Sequence, residues 1–140
     1  TESEPMTKTV LLVEDDLGNV RVFSRYLSKL GGLAVTHTED ADEVVEIVKA
    51  GQADLVLMDV SLSHSLYQGR AVDGIRLTQL LKSDPSTASV PIILVTAHAM
   101  IGDRENSLQQ SGADGYISKP VVDYRAFIDQ VMALLQKSEE

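Results

Sequence analysis

Asp59 closes the run Asp54-Leu55-Val56-Leu57-Met58-Asp59, and its carboxylate is the group on which the chemistry of this chain centres. Glu14, Asp15 and Asp16 follow a second apolar run, Thr9-Val10-Leu11-Leu12-Val13. Thr96 follows Ile92-Ile93-Leu94-Val95, and Lys119 follows Tyr116-Ile117-Ser118. Carboxylates from two strands that meet a few ångströms apart repel unless a cation lies between them. Oxygen-only donors of this kind suit Mg²⁺, which keeps several waters and takes one or two carboxylates plus phosphate oxygens. Beside such an ion, the Asp59 carboxylate can attack a phosphoryl donor in line, with the metal and Lys119 neutralising the equatorial oxygens. Thr96 can then hydrogen-bond the group that arrives. The product is an acyl phosphate, a mixed anhydride that hydrolyses readily. Each residue also has an ordinary role, since a strand-terminal Asp16 or Asp59 can be a helix N-cap and a lone Lys is usually solvated. Coincidence has to place all of them at one edge.

That edge is set by the elements around it. The runs Thr9 to Val13, Leu55 to Met58 and Ile92 to Val95 show little alternation, which marks strands covered on both faces. Leu33-Ala34-Val35-Thr36 and Tyr116-Ile117-Ser118 complete five strands. Between them, Val20, Phe23, Leu27 and Leu30 recur at helical spacing until Gly31-Gly32. Val44, Val45 and Val48 mark a second helix ended by Gly51, and Ile75, Leu77, Leu80 and Leu81 a third ended by Asp84-Pro85. A weaker, polar fourth helix spans Asp103 to Gln110, and Phe127, Ile128, Val131, Met132 and Leu135 mark the fifth. Five strand–helix units in series imply an α/β, doubly wound parallel sheet with right-handed crossovers. In such sheets ligands sit beyond the carboxyl ends of the strands, where the polar residues above fall.

Composition narrows the classes. The chain has 140 residues, enough for one domain with a real core. A net charge of -9 argues against a nucleic-acid surface, which needs clustered Lys and Arg. There is no cysteine, so disulfides, thiolate catalysis and Cys-based zinc sites are excluded. No apolar run approaches the roughly 20 residues that span a bilayer. The polar, acidic start, residues 1–7, reads as a disordered tail rather than a signal peptide, with one domain over 8–138.

These motifs in this order resemble the response-regulator receiver domain, the phospho-accepting module of two-component signalling. The matching segments are Val10 to Asp16, Asp54 to Asp59, Pro91 to Ala97 and Gly112 to Pro120. The resemblance implies a flavodoxin-like sheet with strand order 2-1-3-4-5 and a cytoplasmic signalling domain rather than an enzyme. It implies Mg²⁺, for which Mn²⁺ can substitute, with Asp15 a direct ligand, Glu14 acting through water, and the Ser61 carbonyl completing the shell. Asp59 matches the phosphorylated aspartate, Thr96 the switch hydroxyl and Lys119 the phosphate-binding lysine. Tyr116 matches an aromatic that swings inward on activation, its alternative being a half-buried ring with the hydroxyl outward. His98 matches a position that tunes dephosphorylation. The donor implied is a histidine kinase or histidine phosphotransfer protein docking near the first helix and the Pro120-Val121 loop. The output implied is an unidentified protein partner, with phosphorylation-dependent dimerisation as one form of it and no nucleic acid or membrane. Both a stand-alone phosphorelay protein and the receiver of a hybrid kinase fit.

The chain departs from the family between Asp59 and Asp73-Gly74, where Ser61 to Val72 form an extended loop. One reading makes it a lip over the site that shapes partner recognition; the other, a tolerated surface insertion. His37 ends the second strand away from the acidic cluster, and neither it nor His64 has the spacing of a zinc site. An aspartate-nucleophile phosphohydrolase would need a second Asp where Ser61 stands. A nucleotide or flavin module would need a glycine-rich loop after the first strand.

Overall fold

A computed structural model describes residues 7–60, 66–96, 103–119 and 121–138. Five strands, β1 (Thr9–Val13), β2 (Ala34–Thr38), β3 (Leu55–Asp59), β6 (Ile92–Thr96) and β7 (Gly115–Ser118), form one parallel sheet in the order β2-β1-β3-β6-β7. A two-stranded hairpin, β4 (Leu66–Tyr67) with β5 (Arg70–Ala71), interrupts the numbering. Counted along the chain, the sheet strands therefore run 2-1-3-4-5, as expected.

Adjacent residues on a strand point to opposite faces. Leu11, Val13, Val56, Met58, Ile92 and Leu94 enter the core under α2 (Ala41–Lys49) and α3 (Gly74–Ser83). Val10, Leu12, Leu55, Leu57, Ile93 and Val95 enter the core under α1 (Leu17–Gly31) and α5 (Tyr124–Ser138). Both faces are dry, which is why the runs do not alternate.

Capping sets where the helices begin, and therefore where each strand end is released. The Asp16 carboxylate accepts from Gly18 N at 2.8 Å and Asn19 N at 3.3 Å and starts α1. Asp73 caps α3 through Arg76 N at 2.8 Å. At the far end of α1, Gly32 takes a left-handed conformation (φ 63°) and returns its N–H to Ser28 O. The polar helix α4 (Asp103–Ser111) packs beside α3, with Gln79 Nε2 donating to Gln110 O at 2.7 Å.

The hairpin was not expected. Gln68 and Gly69 both carry positive φ (50° and 81°), the backbone of a two-residue primed turn. Gln68 N donates to the Asp42 carboxylate of α2 at 3.2 Å. Tyr67 packs against the core under α2 and α3 and borders a cavity of about 400 Å³ with Val45, Lys49, Leu80 and Pro85. Part of the insertion thus docks on α2 and α3. Residues 61–65, which adjoin Asp59, lie outside the described residues.

Candidate functional site

Four strand ends converge. β1 pairs with β3 through Val13↔Met58, so Glu14 and Asp59 leave the sheet side by side. β3 pairs with β6 through Asp59↔Val95, and Val60 N donates to Val95 O at 2.9 Å. β6 pairs with β7 through Thr96↔Ser118, and Lys119 N donates to Thr96 O at 2.7 Å. Parallel register therefore carries Glu14, Asp59, Thr96 and Lys119 to one edge.

Glu14, Asp59 and Thr96 are buried, at 1%, 4% and 5% exposure, so these polar groups have left water and need partners within the protein. Lys119 Nζ lies 3.1 Å from Glu14 Oε1 and 3.7 Å from Asp59 Oδ1, a cation between two buried carboxylates. Glu14 Oε2 also accepts from Asp16 N at 3.2 Å. Burial, a hydrogen bond to Asp59 and the charge of Asp59 push the Glu14 carboxyl up to about 7, while Lys119 and the Asp16 N–H pull it down. A cation close by favours the charged form of both carboxylates.

The donor set fits one. Glu14, Asp15 and Asp59 each offer a carboxylate oxygen, and these atoms lie within 4.8 Å of one another. All three are hard oxygen donors, as Mg²⁺ prefers.

Of the other residues expected here, Tyr116 is 8% exposed, with its hydroxyl shielded from solvent among the side chains under α2 and α3. The ring is inward rather than half-buried with its hydroxyl out. Asp16 is a helix cap, as its ordinary role required. Asp59 is not, since α3 has its own cap in Asp73. Ser61, His98 and Pro120 lie outside the described residues, as does His64.

Two residues at this edge escaped the sequence reading. His37 does not stand away from the cluster: its Nε2 lies 2.7 Å from the Glu14 carbonyl oxygen. The signal was the strand end, because β2 runs to Thr38 and its last pairs, Leu12↔His37 and Val13↔Thr38, bring it level with the end of β1. Gly74, the first residue of α3, lies so close to β3 that a Cβ there would sit 2.0 Å from the Asp59 carbonyl oxygen and 2.9 Å from Val60 Cα. Glycine lets α3 rest on the backbone of Asp59.

The model of the response regulator receiver domain matches residues 10–131. The chain belongs to the response regulator receiver domain family. Receiver domains accept phosphate from histidine kinases and act on downstream partners. Among curated proteins, the polar-differentiation response regulator DivK of Brucella ovis is 36% identical over 130 residues, covering 93% of this chain and 98% of DivK. Among solved structures, the receiver domain of the sensor histidine kinase PA1611 of Pseudomonas aeruginosa is 32% identical with a TM-score of 0.71, covering 94% of this chain and 97% of that one. That structure has a magnesium ion coordinated in its active site cleft. A CheY-like receiver domain protein of Methanospirillum hungatei shares the fold at a TM-score of 0.74 and 22% identity, covering 96% of this receiver and 98% of its own chain. Among the described residues of the receiver, no helix is long and apolar enough to cross a membrane.

Proposed function

We propose that Asp59 is the phosphoryl acceptor of this receiver, and that Glu14, Asp15, Thr96 and Lys119 serve the transfer. The observation that carries the reading is the buried pair of carboxylates, Glu14 and Asp59, bridged by Lys119 with Asp15 alongside. A carboxylate oxygen of Asp59 attacks phosphorus, the P–N bond of a donor phosphohistidine breaks, and the imidazole leaves with the electron pair and takes up a proton. Glu14, Asp15 and Asp59, with the Ser61 carbonyl, would hold Mg²⁺. When bound, the ion offsets negative charge on the carboxylates and the phosphoryl oxygens. Lys119 turns from Glu14 toward the incoming phosphoryl oxygens, and the Thr96 hydroxyl donates to one of them.

The output is a shift in population of the α4–β7–α5 face. Tyr116 is already inward here, so phosphorylation acts by holding it there. The protein works in the cytoplasm as a signalling domain and turns over only its own phosphate. Its donor is a histidine kinase or histidine phosphotransfer protein, and its target is a protein. A phosphorylation-dependent dimer is one way to present that face. Residues 8–138 form the domain, with the 61–72 insertion as a recognition element. His98 tunes hydrolysis, so acyl-phosphate lifetime should change in His98→Ala.

Stoichiometry tests the reading. A phosphohistidine donor with Mg²⁺ should load one phosphate per chain. Sustained turnover of a phosphate ester would instead indicate a phosphohydrolase.

A further inference from the structure

The β1–β2 ladder ends at Val13↔Thr38, and one long bond, Glu14 N to Thr38 O at 3.4 Å, continues it. At that point the chain must turn out of the strand toward α1 and present two successive carboxylates to Asp59. The Glu14 carbonyl oxygen is met by His37 Nε2 at 2.7 Å. A carbonyl can only accept, so Nε2 carries the proton. The peptide between Glu14 and Asp15 is a rigid plane, so fixing its oxygen also fixes the direction in which Asp15 leaves. Glu14 hangs from one end of that plane and Asp15 from the other, and both reach within 4.8 Å of Asp59. Lys119 draws Glu14 and Asp59 together, and holding the Glu14–Asp15 peptide aims both of its carboxylates at the same point.

We propose that His37 is a positioning residue of the acidic site, its Nε2–H holding the Glu14–Asp15 peptide so that both carboxylates face Asp59. The inference rests on the reading that these carboxylates bind Mg²⁺. His37 is itself exposed on an edge strand, so its side chain adds little to the core. Its role is in orientation, in the way outer groups orient the ligands of metal sites.

His37→Gln and His37→Leu separate this from a surface histidine with an incidental bond. Glutamine can place an amide N–H near the Nε2 position, whereas leucine fills similar space without a donor. Titration with Mg²⁺, followed by amide NMR shifts of residues 14, 15 and 59, reads the affinity. The metal-free spectrum reads the Glu14–Asp15 peptide directly, and ¹⁵N shifts of the imidazole report which nitrogen is protonated. His37→Leu should weaken Mg²⁺ binding about tenfold, the lower end of the range for outer-shell changes. It should also move the metal-free Asp15 amide while the rest of the spectrum stays in place. His37→Gln should stay within about twofold of the parent in affinity, below the smallest outer-shell effect. Equal affinity in His37→Leu and the parent, or equal loss in His37→Gln and His37→Leu, overturns the inference and leaves the metal reading standing. A parent chain that does not bind Mg²⁺ removes both.

Discussion

Replacing Gly74 with alanine should damage the site without touching a polar group. The added Cβ would meet the Asp59 carbonyl oxygen at 2.0 Å, the Asp59 carbonyl carbon at 2.8 Å and Val60 Cα at 2.9 Å. All three are backbone atoms, so no side chain can swing aside. Real Cβ atoms essentially never come under 3.0 Å, so the gap between α3 and the end of β3 must open by about 1 Å. Overpacking of this kind costs about 1–3 kcal/mol or more. Alanine's better helix propensity returns at most about 1 kcal/mol. A net loss near 2 kcal/mol lowers Tm by about 4–8 °C in a domain of this size. The displaced backbone is that of the proposed acceptor, and a misplacement of about 1 Å at a reacting group can slow transfer about a hundredfold. Thermal melts and the rate of labelling by acetyl phosphate with Mg²⁺ read the two effects. Gly69→Ala is the control: its φ is +81° and nothing lies within 4 Å, so it should cost about 1–2 kcal/mol of local strain and leave labelling unchanged. A Gly74→Ala protein that melts with the parent and labels within about twofold of it, against the hundredfold loss expected, would refute the reasoning.

Other consequences follow from the same geometry. Without metal, Glu14 titrates at about 7 instead of 4.5, so folding favours its protonated form. Its contribution is fully present below 4.5 and is lost as pH rises through 7. In EDTA, urea unfolding should therefore show about 2–3 kcal/mol less stability at pH 8.5 than at pH 5 from this group, and Glu14→Gln should flatten that slope. An equal slope in the variant would contradict it. Lys119→Met removes the cation that lies 3.1 and 3.7 Å from the two carboxylates. Mg²⁺ should then bind more tightly by calorimetry while labelling slows by about tenfold or more, the scale of losing one group that stabilises the transition state. Tyr67→Ala strips a half-buried ring from the α2–α3 groove and should cost about 1–2 kcal/mol, less than a fully buried aromatic, with labelling by acetyl phosphate unchanged. If the insertion recognises the kinase, the same variant slows transfer from the natural donor alone.

Much of this was legible because the sheet is parallel and buried on both faces. Continuous apolar runs such as Leu55–Met58 declare their strands, and the polar residue that ends each run must then stand at the common edge. Register does the rest: Asp59↔Val95 and Thr96↔Ser118 bring together residues far apart in the chain. What was not legible depends on details that a run of residues does not encode. The hairpin turns on Gln68-Gly69, and Gln at positive φ is a weaker signal than the Asn or Asp usual there. Its strands are two residues each, too short for a period to show. His37 was rightly put at the end of the second strand, but its contact with Glu14 follows from the Leu12↔His37 register and the ring's orientation, which a run of residues does not encode. Gly74 could be seen as a helix opener, but its contact with Asp59 is a fact of packing.

Whether Asp59 is the acceptor is tested most directly by intact mass after incubation with acetyl phosphate and Mg²⁺. The parent chain should gain a single phosphate that disappears at alkaline pH, as an acyl phosphate does, and Asp59→Asn should gain none. A parent without an adduct, or an adduct that persists in Asp59→Asn, would contradict it.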